Sequence, residues 1–279
     1  MPILTGKARV AGVLGWPVGH SRSPRLHGFW LERYRIDGAY VPLPVAPEHF
    51  ATAVRGLAAA GFAGANVTLP HKLAAASLCD ERDVSAERAG AVNTLVFRDG
   101  RILGSNTDGF GFLANLRDHG VDPGAGPALV LGAGGAARAV AASLAEAGAP
   151  VFVTARRTEE ADRLAAALPG LRTLPWVARE AALAEMALVV NTTAAGMTGR
   201  EPLALALDRA ATGLAVADVI YVPRETELLA AARARGLVAV GGLGMLLHQA
   251  RPGFAAWFGV DPEVDEALRR FVGDDLPAG

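Results

Sequence analysis

The residues best suited to bind a ligand form a glycine-rich segment near the middle of the chain. An apolar run, Ala128–Leu131, leads into it and an alanine-rich amphipathic segment, residues 136–147, follows, which predicts a strand, a tight turn and a helix. Gly132, Gly134 and Ala137 have the spacing G-x-G-x-x-A. The first glycine lets the chain turn, the second lets backbone approach a pyrophosphate, and the small third residue lets helix and strand pack closely. Because a helix N-terminus also attracts anions, the segment predicts a dinucleotide site.

The next predicted strand indicates which dinucleotide binds. Pro150–Ala155 has the composition of a strand, and Arg156 and Arg157 follow it. An NAD site usually places an acidic residue about 20 residues beyond the glycines, where it binds the ribose 2′-hydroxyl. Two guanidinium groups stand here instead, and arginine pairs bidentately with phosphate. The alternative is a solvated arginine pair before a surface helix over residues 158–168. The glycine turn favours NADP.

A lysine in the first third of the chain lies where local structure disfavours a cation. Residues 64–68 predict a strand on which Asn66 and Thr68 share a face. Pro70 is expected at the first position of a short helix, which places Lys72 in the first turn. The helix dipole favours anions there, so Lys72 is a candidate functional residue. The alternative is an exposed lysine that costs roughly a few tenths of a kcal/mol.

Three other polar side chains occur at predicted helix starts. Ser23 precedes Pro24, as in an N-cap followed by proline, so capping explains Ser23 without a ligand. Capping does not explain Ser21, and two hydroxyls at a strand–helix junction suit a polyol or a carboxylate. Asp108 precedes another predicted helix, and from spacing alone an N-cap is the better interpretation.

The remaining segments predict an α/β protein. Asp99-Gly100 lies between two β-like runs and predicts a hairpin. Beyond Arg157, strands alternate with helices, which is typical of a parallel sheet covered on both faces. Met245 and Gln249 are four residues apart and share a face of a late helix, although Met245 also suits a core position. The first domain is expected to end near Asp108.

Composition limits the classes of function. The chain has 279 residues, enough for two domains, and a formal net charge of −1, with 27 basic and 28 acidic residues interspersed. Nothing here suggests a nucleic-acid partner. We expect no signal peptide and no membrane span. The single cysteine, Cys79, fits a reducing cytoplasm and is expected to be a small buried residue rather than a nucleophile.

Taken together, six blocks of the sequence resemble the shikimate dehydrogenase family. They occur in the expected order and span essentially the whole chain. The glycine turn is one block, and the others are residues 15–24 (GWPVGHSRSP), 66–72 (NVTLPHK), 89–94 (AGAVNT), 106–109 (NTDG) and 242–250 (GLGMLLHQA).

The resemblance implies a fold and an activity. The fold would have two α/β domains with the active site in the cleft between them. Residues 1–107 and 243–279 would form the substrate-binding domain, and residues 108–242 a Rossmann-type, doubly wound NADP-binding domain. The activity would be the reversible NADPH-dependent reduction of 3-dehydroshikimate to shikimate in aromatic amino acid biosynthesis. The chain would be a cytoplasmic monomer or homodimer whose partner is the small-molecule substrate.

The resemblance also assigns roles to individual residues. Lys72 and Asp108 would form the catalytic pair. The substrate's carboxylate and hydroxyls would be held by Ser21, Ser23, Asn66, Thr68, Asn93, Tyr221 and Gln249. NADP would be held by Gly132, Ala133, Gly134, Gly135, Ala136, Arg156 and Arg157, with Val219, Gly242 and Met245 bordering the nicotinamide. No metal is expected.

Two departures from the family pattern concern binding rather than catalysis. Ala155-Arg156-Arg157 stands where the family usually has Asn-Arg-Thr or Asn-Arg-Ser, and Val222 follows Tyr221 where asparagine is common. The alternative activities are a quinate or aminoshikimate dehydrogenase, because one hydroxyl or methylene changes binding by only ~1–3 kcal/mol. A non-catalytic NADP-binding protein is a third possibility, since a fold alone does not fix activity.

Overall fold

A computed structural model describes residues 3–277 of the chain. Contacts divide the chain into two compact units. Unit 1 contains the chain up to Thr107 together with Gln249–Asp274, and unit 2 contains Asp108–His248 with the residues from Asp275. The division therefore falls at Thr107 and again after His248, whereas the sequence suggested residues 107 and 242. The substrate-binding and NADP-binding roles of the two parts stay predictions.

Unit 1 is built on a mixed six-stranded sheet. Its strands are β1 (Arg9–Gly15), β2 (Gly38–Pro44), β3 (Gly64–Val67), β4 (Glu81–Arg82), β5 (Thr94–Arg98) and β6 (Arg101–Ser105). Their order is β2-β1-β3-β5-β6-β4; β1 runs parallel to β2 and β3, whereas β5 is antiparallel to β3 and β6. The predicted hairpin is confirmed: β5 and β6 join at Asp99 and Gly100, which both have positive φ.

Four helices connect these strands. They are α1 (Ser23–Arg33), α2 (Phe50–Ala59), α3 (Lys72–Leu78) and α4 (Val84–Ala89). Leu14, Phe50, Val67 and Leu95 are among the buried side chains of the core that the helices and the sheet share. Cys79 is half-buried beside this core; burial raises the pKa of its thiol to about 11, which agrees with a structural rather than a nucleophilic cysteine.

Three predicted helix starts are wrong in detail; one is that of the helix Asp108–Asp118, which includes Asp108 instead of beginning after it. Ser23 is the first residue of α1 rather than its N-cap, because Arg22 occupies the cap position without a side-chain hydrogen bond. Pro70 is not the first residue of α3. Residues 69 and 70 form a turn, and the helix begins at Lys72. Lys72 is nevertheless in the first turn, as predicted.

Unit 2 has the doubly wound topology that the sequence predicted. Its strands are β7 (Ala128–Leu131), β8 (Val151–Thr154), β9 (Arg172–Thr173), β10 (Leu188–Asn191), β11 (Ala215–Asp218) and β12 (Val238–Val240), and its helices are α5 (Asp108–Asp118), α6 (Gly135–Glu146), α7 (Thr158–Ala167), α8 (Arg179–Ala182) and α9 (Glu227–Ala234). All neighbouring strands pair in parallel in the order β12-β11-β10-β7-β8-β9. The chain reverses direction across the sheet between β7 and β10, where dinucleotides bind in such folds.

The core of unit 2 explains why β7 is a continuous apolar run. Ala128 and Val130 pack into one buried cluster, whereas Leu129 and Leu131 pack into a second. Side chains alternate between the faces of a strand, so apolar residues at successive positions require helices on both faces.

The last two helices are α10 (Leu243–Phe258) and α11 (Glu266–Gly273), and the division between the units falls within α10. Within unit 1, the Trp257 indole donates a hydrogen bond of 2.9 Å to the Leu95 carbonyl, and the Trp30 indole donates one of 3.0 Å to the Glu263 carbonyl. These bonds fix the returning segment against β5 and α1. Across residues 3–277, no helix combines the length and the apolarity needed to cross a membrane.

Candidate active site

A connected group of buried amides and hydroxyls occupies unit 1, beginning at Asn66 on β3. The Tyr40 hydroxyl donates a 2.6 Å hydrogen bond to Asn66 Oδ1. Asn66 Nδ2 donates to the Asn93 carbonyl and to Thr94 Oγ1, each at 3.2 Å. Because both N–H bonds of the amide have acceptors and its oxygen has a donor, the orientation of this side chain is fixed.

The group continues from Asn93 to the end of the first segment of unit 1. Asn93 Oδ1 accepts bonds of 2.9 Å from the Thr94 hydroxyl and from the Thr107 amide. Asn93 Nδ2 lies 3.1 Å from Thr107 Oγ1 and 3.5 Å from Gln249 Oε1. Thr107 Oγ1 is 3.4 Å from the same glutamine oxygen. Three of the predicted substrate residues, Asn66, Asn93 and Gln249, are thus joined by hydrogen bonds.

The position of Lys72 is set by backbone bonds on both sides of it. The Lys72 carbonyl accepts a 3.0 Å bond from the Val92 amide, next to Asn93. Upstream, the Thr68 carbonyl accepts from the His71 amide at 3.0 Å. His71 is packed, since its Nε2 lies 2.7 Å from the Val45 carbonyl and its ring stacks on Phe50. Lys72 and Thr68 are half-buried.

Asp108 directly follows Thr107 in the chain and is the first residue of α5. Only 7% of the residue is exposed. Carboxylates are seldom this buried unless they are paired. The helix dipole favours a carboxylate in the first turn of a helix, so an acidic side chain is stabilised at this position.

The two predicted serines lie at the start of α1. Ser21 Oγ accepts a 3.3 Å bond from the Ser23 amide, and Ser23 is buried. Burial raises the pKa of Tyr40 well above its ordinary value, and a hydrogen bond from Ser23 partly offsets this. His27 stacks on the Tyr40 ring with centroids 3.9 Å apart. Burial lowers the pKa of His27 to about 3, so its ring is neutral behind the tyrosine.

Unit 2 contains a cavity of about 610 Å³ at the reversal point of its sheet. It is lined by Gly132, Ala133, Gly134, Ala155, Arg156, Arg157, Glu160, Trp176, Thr192 and Thr193. These residues follow β7, β8 and β10, which are adjacent strands, with Glu160 and Trp176 from the segments beyond β8 and β9. The volume is within the ~300–1,000 Å³ range of ligand pockets. Gly135 and Ala136 open α6 just beyond the glycine turn.

The lining of this cavity fits a phosphate-bearing dinucleotide. Gly132 has φ +117°, a conformation that side chains rarely adopt, and a Cβ there would stand 2.7 Å from Thr192 Oγ1. A Cβ on Gly134 would meet no protein atom within 4 Å, so the wall beside it is open to a ligand. Arg156 and Arg157 bring two guanidinium groups to the same cavity. The accessible backbone of the glycines suits a pyrophosphate, and the two arginines suit a 2′-phosphate.

The three residues expected beside the nicotinamide also lie together in unit 2. The Gly242 amide donates a 3.0 Å bond to the Ile220 carbonyl, and a Cβ on Gly242 would stand 2.2 Å from the Val219 carbonyl oxygen. Val219 and Met245 pack against the same buried cluster. Gly242 therefore allows the segments after β11 and β12 to approach closely. Tyr221 follows β11 in the same unit and is half-buried.

A buried carboxyl orders the loops after β10 and β11. Asp218 accepts hydrogen bonds from Asn191 Nδ2 at 3.2 Å, from the Thr226 hydroxyl at 2.9 Å and from the Ile220 amide at 3.0 Å. Burial raises the pKa of Asp218 to about 6, although these bonds oppose the shift. Asn191 Oδ1 in turn accepts from the Thr193 hydroxyl at 2.8 Å, which positions a cavity residue.

Sequence reasoning missed several residues of the hydrogen-bonded group in unit 1 and of the cavity in unit 2. Tyr40, Thr94 and Thr107 belong to the hydrogen-bonded group of unit 1. Tyr40 lies in no motif, whereas Thr94 and Thr107 lie in two of the blocks quoted above but were given no role there. Thr192 and Thr193 were identifiable, because they follow a buried apolar run at the carboxyl end of a parallel strand, where ligands bind in open α/β sheets. Glu160 and Trp176 carry no such signal.

Comparisons with known proteins identify the family. Residues 13–95 match the family model described as the shikimate dehydrogenase substrate binding domain. A protein named shikimate dehydrogenase (NADP(+)) from Acidiphilium cryptum is 68% identical over 274 residues, covering 98% of this chain and 99% of that protein. A protein of the same name from Rhodospirillum rubrum is 58% identical over 279 residues, covering 97% and 99%.

A solved structure matches at the level of the fold. The crystal structure of shikimate 5-dehydrogenase from Thermus thermophilus, in complex with NADP(H) and shikimate, is 38% identical with a TM-score of 0.87 and covers 95% of this chain and 98% of that one. The matches to these three relatives extend along nearly the whole chain. The chain belongs to the shikimate dehydrogenase family.

Proposed function

We propose that this chain is an NADP-dependent oxidoreductase that interconverts 3-dehydroshikimate and shikimate, a step in aromatic amino acid biosynthesis. The observation that carries the proposal is the hydrogen-bonded group of Asn66, Asn93 and Gln249 in a chain that also has a glycine-turn cavity with two arginines. The alternatives raised by the sequence are less favoured, because relatives at 68% and 58% identity are named shikimate dehydrogenases.

The reaction requires a hydride at carbon and a proton at oxygen. NADPH, when bound, supplies the hydride to the ketone carbon. The ketone oxygen then gains negative charge and needs a proton and electrostatic support. The protein's own residues must supply both, and they must take the proton back when shikimate is oxidised.

Lys72 is the residue that we assign to this proton. It is one of only two lysines in a chain that has 25 arginines. A lysine ammonium can give up a proton, whereas a guanidinium effectively cannot. A chain that uses arginine almost everywhere therefore keeps a lysine at the start of α3, where the helix dipole does not favour a cation.

Asp108 is the residue that we assign to hold the Lys72 ammonium in place. Val92 donates to the Lys72 carbonyl, and the next residue, Asn93, binds Thr107, which immediately precedes Asp108 in the chain. A buried carboxylate gains most from a cationic partner, which supports the pairing.

The substrate is a polyol that carries a carboxylate, and the proposed ligands match that chemistry. We propose that Ser21, Ser23 and Tyr221 bind the carboxylate or neighbouring hydroxyls through their own hydroxyls. Asn66, Thr68, Asn93 and Gln249 would bind the remaining hydroxyls. The fixed orientation of the two asparagine amides supports this, because a rigid amide discriminates between hydroxyl positions better than a mobile one.

NADP binding is assigned to the glycine turn and its neighbours. Gly132–Ala136 would bind the pyrophosphate, Arg156 and Arg157 the 2′-phosphate, and Val219, Gly242 and Met245 would border the nicotinamide. The open wall at Gly134 and the arginine-lined cavity support this assignment. We further propose that residues 1–107 and 243–279 bind substrate, and that the chain works in the cytoplasm. Light scattering would distinguish the monomer from the homodimer.

A matched pair of lysine variants tests the mechanism. We expect Lys72→Arg to keep the cationic charge and the Michaelis constant for shikimate, but to lose at least about 100-fold in kcat, the lower end for general acid–base catalysis. Lys7→Arg is the control, because Lys7 is exposed. Rates follow from the absorbance of the reduced cofactor. Turnover of Lys72→Arg within about threefold of the wild type would remove Lys72 from the mechanism.

A further inference from the structure

The cofactor cavity of unit 2 contains a carboxylate beside its arginines. Glu160 is the acidic member of the lining. Its Oε1 lies 2.5 Å from Nη2 of Arg157, and 33% of its side chain is exposed, against 76% for Arg157. Arg156 lines this cavity and also an adjoining one of about 560 Å³. The two guanidinium groups are therefore not equivalent, because Glu160 engages Arg157.

The local sequence explains how these two side chains meet. Arg157 occupies the N-cap position of α7, and Glu160 is the third residue of the helix. Residues three apart lie on the same face of a first turn, and the Glu160 amide donates a 3.0 Å bond to the Arg157 carbonyl. An acidic residue here also suits the helix dipole. Glu159 meets that requirement equally but does not line the cavity, so the dipole alone does not explain an acid at position 160.

We propose that Glu160 is a specificity-determining residue that weakens the preference of this chain for NADP over NAD. The inference rests on the proposed assignment of this cavity to the cofactor. Arg156 and Arg157 alone would give the lining of the cavity two positive charges. Glu160, which pairs with Arg157, reduces this net charge to one. Arg156 then provides most of the attraction for a 2′-phosphate.

The carboxylate acts on the two cofactors in opposite ways. It repels the 2′-phosphate of NADP, which carries about two negative charges near neutral pH. It can accept a hydrogen bond from the 2′-hydroxyl of NAD, as acidic residues do in NAD-preferring sites. Glu160→Gln removes the repulsion and frees Arg157. Because both side chains are partly exposed, we expect a two- to fivefold effect on binding, roughly the range that exposed ion pairs give.

The test measures binding rather than turnover. Calorimetric titration compares adenosine 2′,5′-bisphosphate with adenosine 5′-monophosphate, which differ only by the 2′-phosphate. The measured quantity is the ratio of their dissociation constants, in the wild type, in Glu160→Gln and in the control Glu159→Gln. The control removes the same charge from the same helical turn. Each variant is titrated at low and at high salt.

We expect Glu160→Gln to raise the preference for the bisphosphate about two- to fivefold, and we expect this gain to shrink at high salt. Glu159→Gln should match the wild type. Equal ratios for Glu160→Gln and Glu159→Gln would overturn the inference. A wild type that binds the bisphosphate no more tightly than the monophosphate would instead contradict the proposed NADP site, so the two failures are distinguishable.

Discussion

Alanine substitutions at two glycines of the cofactor turn separate folding from cofactor binding. Gly132 has φ +117°, so alanine there is strained by about 1–3 kcal/mol. Its Cβ would lie 2.7 Å from Thr192 Oγ1, and the threonine must move. That movement breaks the 2.7 Å hydrogen bond from the Thr192 hydroxyl to the Leu131 carbonyl, worth about 0.5–1.5 kcal/mol. We expect Gly132→Ala to lose about 2–4 kcal/mol of stability.

Gly134→Ala should behave in the opposite way. Gly134 has an extended backbone, with φ −80° and ψ −171°, which any residue can adopt. Its added methyl meets no protein atom within 4 Å, so the loss of stability should stay below about 1 kcal/mol, the effect of a poorer N-cap. The methyl would occupy the open cavity wall where backbone must approach the pyrophosphate. We expect NADP⁺ to bind at least about 10-fold more weakly, which corresponds to about 1.4 kcal/mol.

Two measurements on the purified variants decide between these effects. Thermal unfolding should show Gly132→Ala lower by about 4–16 °C and Gly134→Ala close to the wild type. Calorimetric titration with NADP⁺ should show the large change in affinity for Gly134→Ala. If Gly132→Ala were as stable as the wild type, the strain argument would be wrong. If Gly134→Ala bound NADP⁺ normally, the pyrophosphate would not lie against this turn.

Three other substitutions test the buried polar groups. Thr94→Val removes the acceptor of one buried N–H of Asn66 and one of the donors to Asn93 Oδ1, so we expect a loss of about 1–3 kcal/mol and a higher Michaelis constant for shikimate. The control is Thr154→Val, because the buried Thr154 hydroxyl has no hydrogen-bond partner in the described chain and its loss should be nearly neutral; equal losses would contradict the argument. The folded-state pKa of His27 is lowered from 6.5 to about 3, so the stability of the wild type decreases as the pH is lowered below 6.5. By pH 4 the wild type should lose about 3 kcal/mol relative to His27→Phe, and parallel acid-unfolding curves would refute this. The pKa of Asp218 is raised from 3.8 to about 6, so its contribution is complete below pH 3.8 and is lost as the pH rises through 6. The wild type should therefore lose about 3 kcal/mol relative to Asp218→Asn over that window, and a pH-independent difference between the two proteins in denaturant unfolding would contradict it.

The sequence predicted most of the elements, because their signals are local. The four residues of β7 alternate between two buried clusters, so they had to be apolar throughout. Asp99-Gly100 supplies the two positive φ angles that a tight hairpin requires. Gly132 likewise has the positive φ that its place in the glycine pattern indicates.

The errors occurred where the surrounding chain overrode a local preference for a helix start. Ser23 and Pro24 fit an N-cap and a first helical residue, but the helix includes Ser23, whose amide bonds to Ser21. Pro70 also fits a helix start, but it lies in a turn with Leu69, and α3 begins at Lys72. Single-residue capping preferences are worth only about 1 kcal/mol, so the surrounding chain overrides them.

Parts of the candidate site depend on long-range contacts that no local pattern encodes. Tyr40 reaches Asn66 from a strand 26 residues earlier, and Gln249 reaches Asn93 across 156 residues. The Arg157–Glu160 pair has helical spacing and was identifiable as an ion pair. Its place in the cavity was not, because that depends on how β8 and α7 flank the glycine turn.

The most direct test of the proposed function is a matrix of initial rates. Shikimate and quinate are each combined with NADP⁺ and with NAD⁺, and the reduced cofactor is followed by its absorbance. We expect the highest kcat/KM for shikimate with NADP⁺. A higher value for quinate, or no reduction of NADP⁺ by shikimate at high enzyme concentration, would contradict the proposed function.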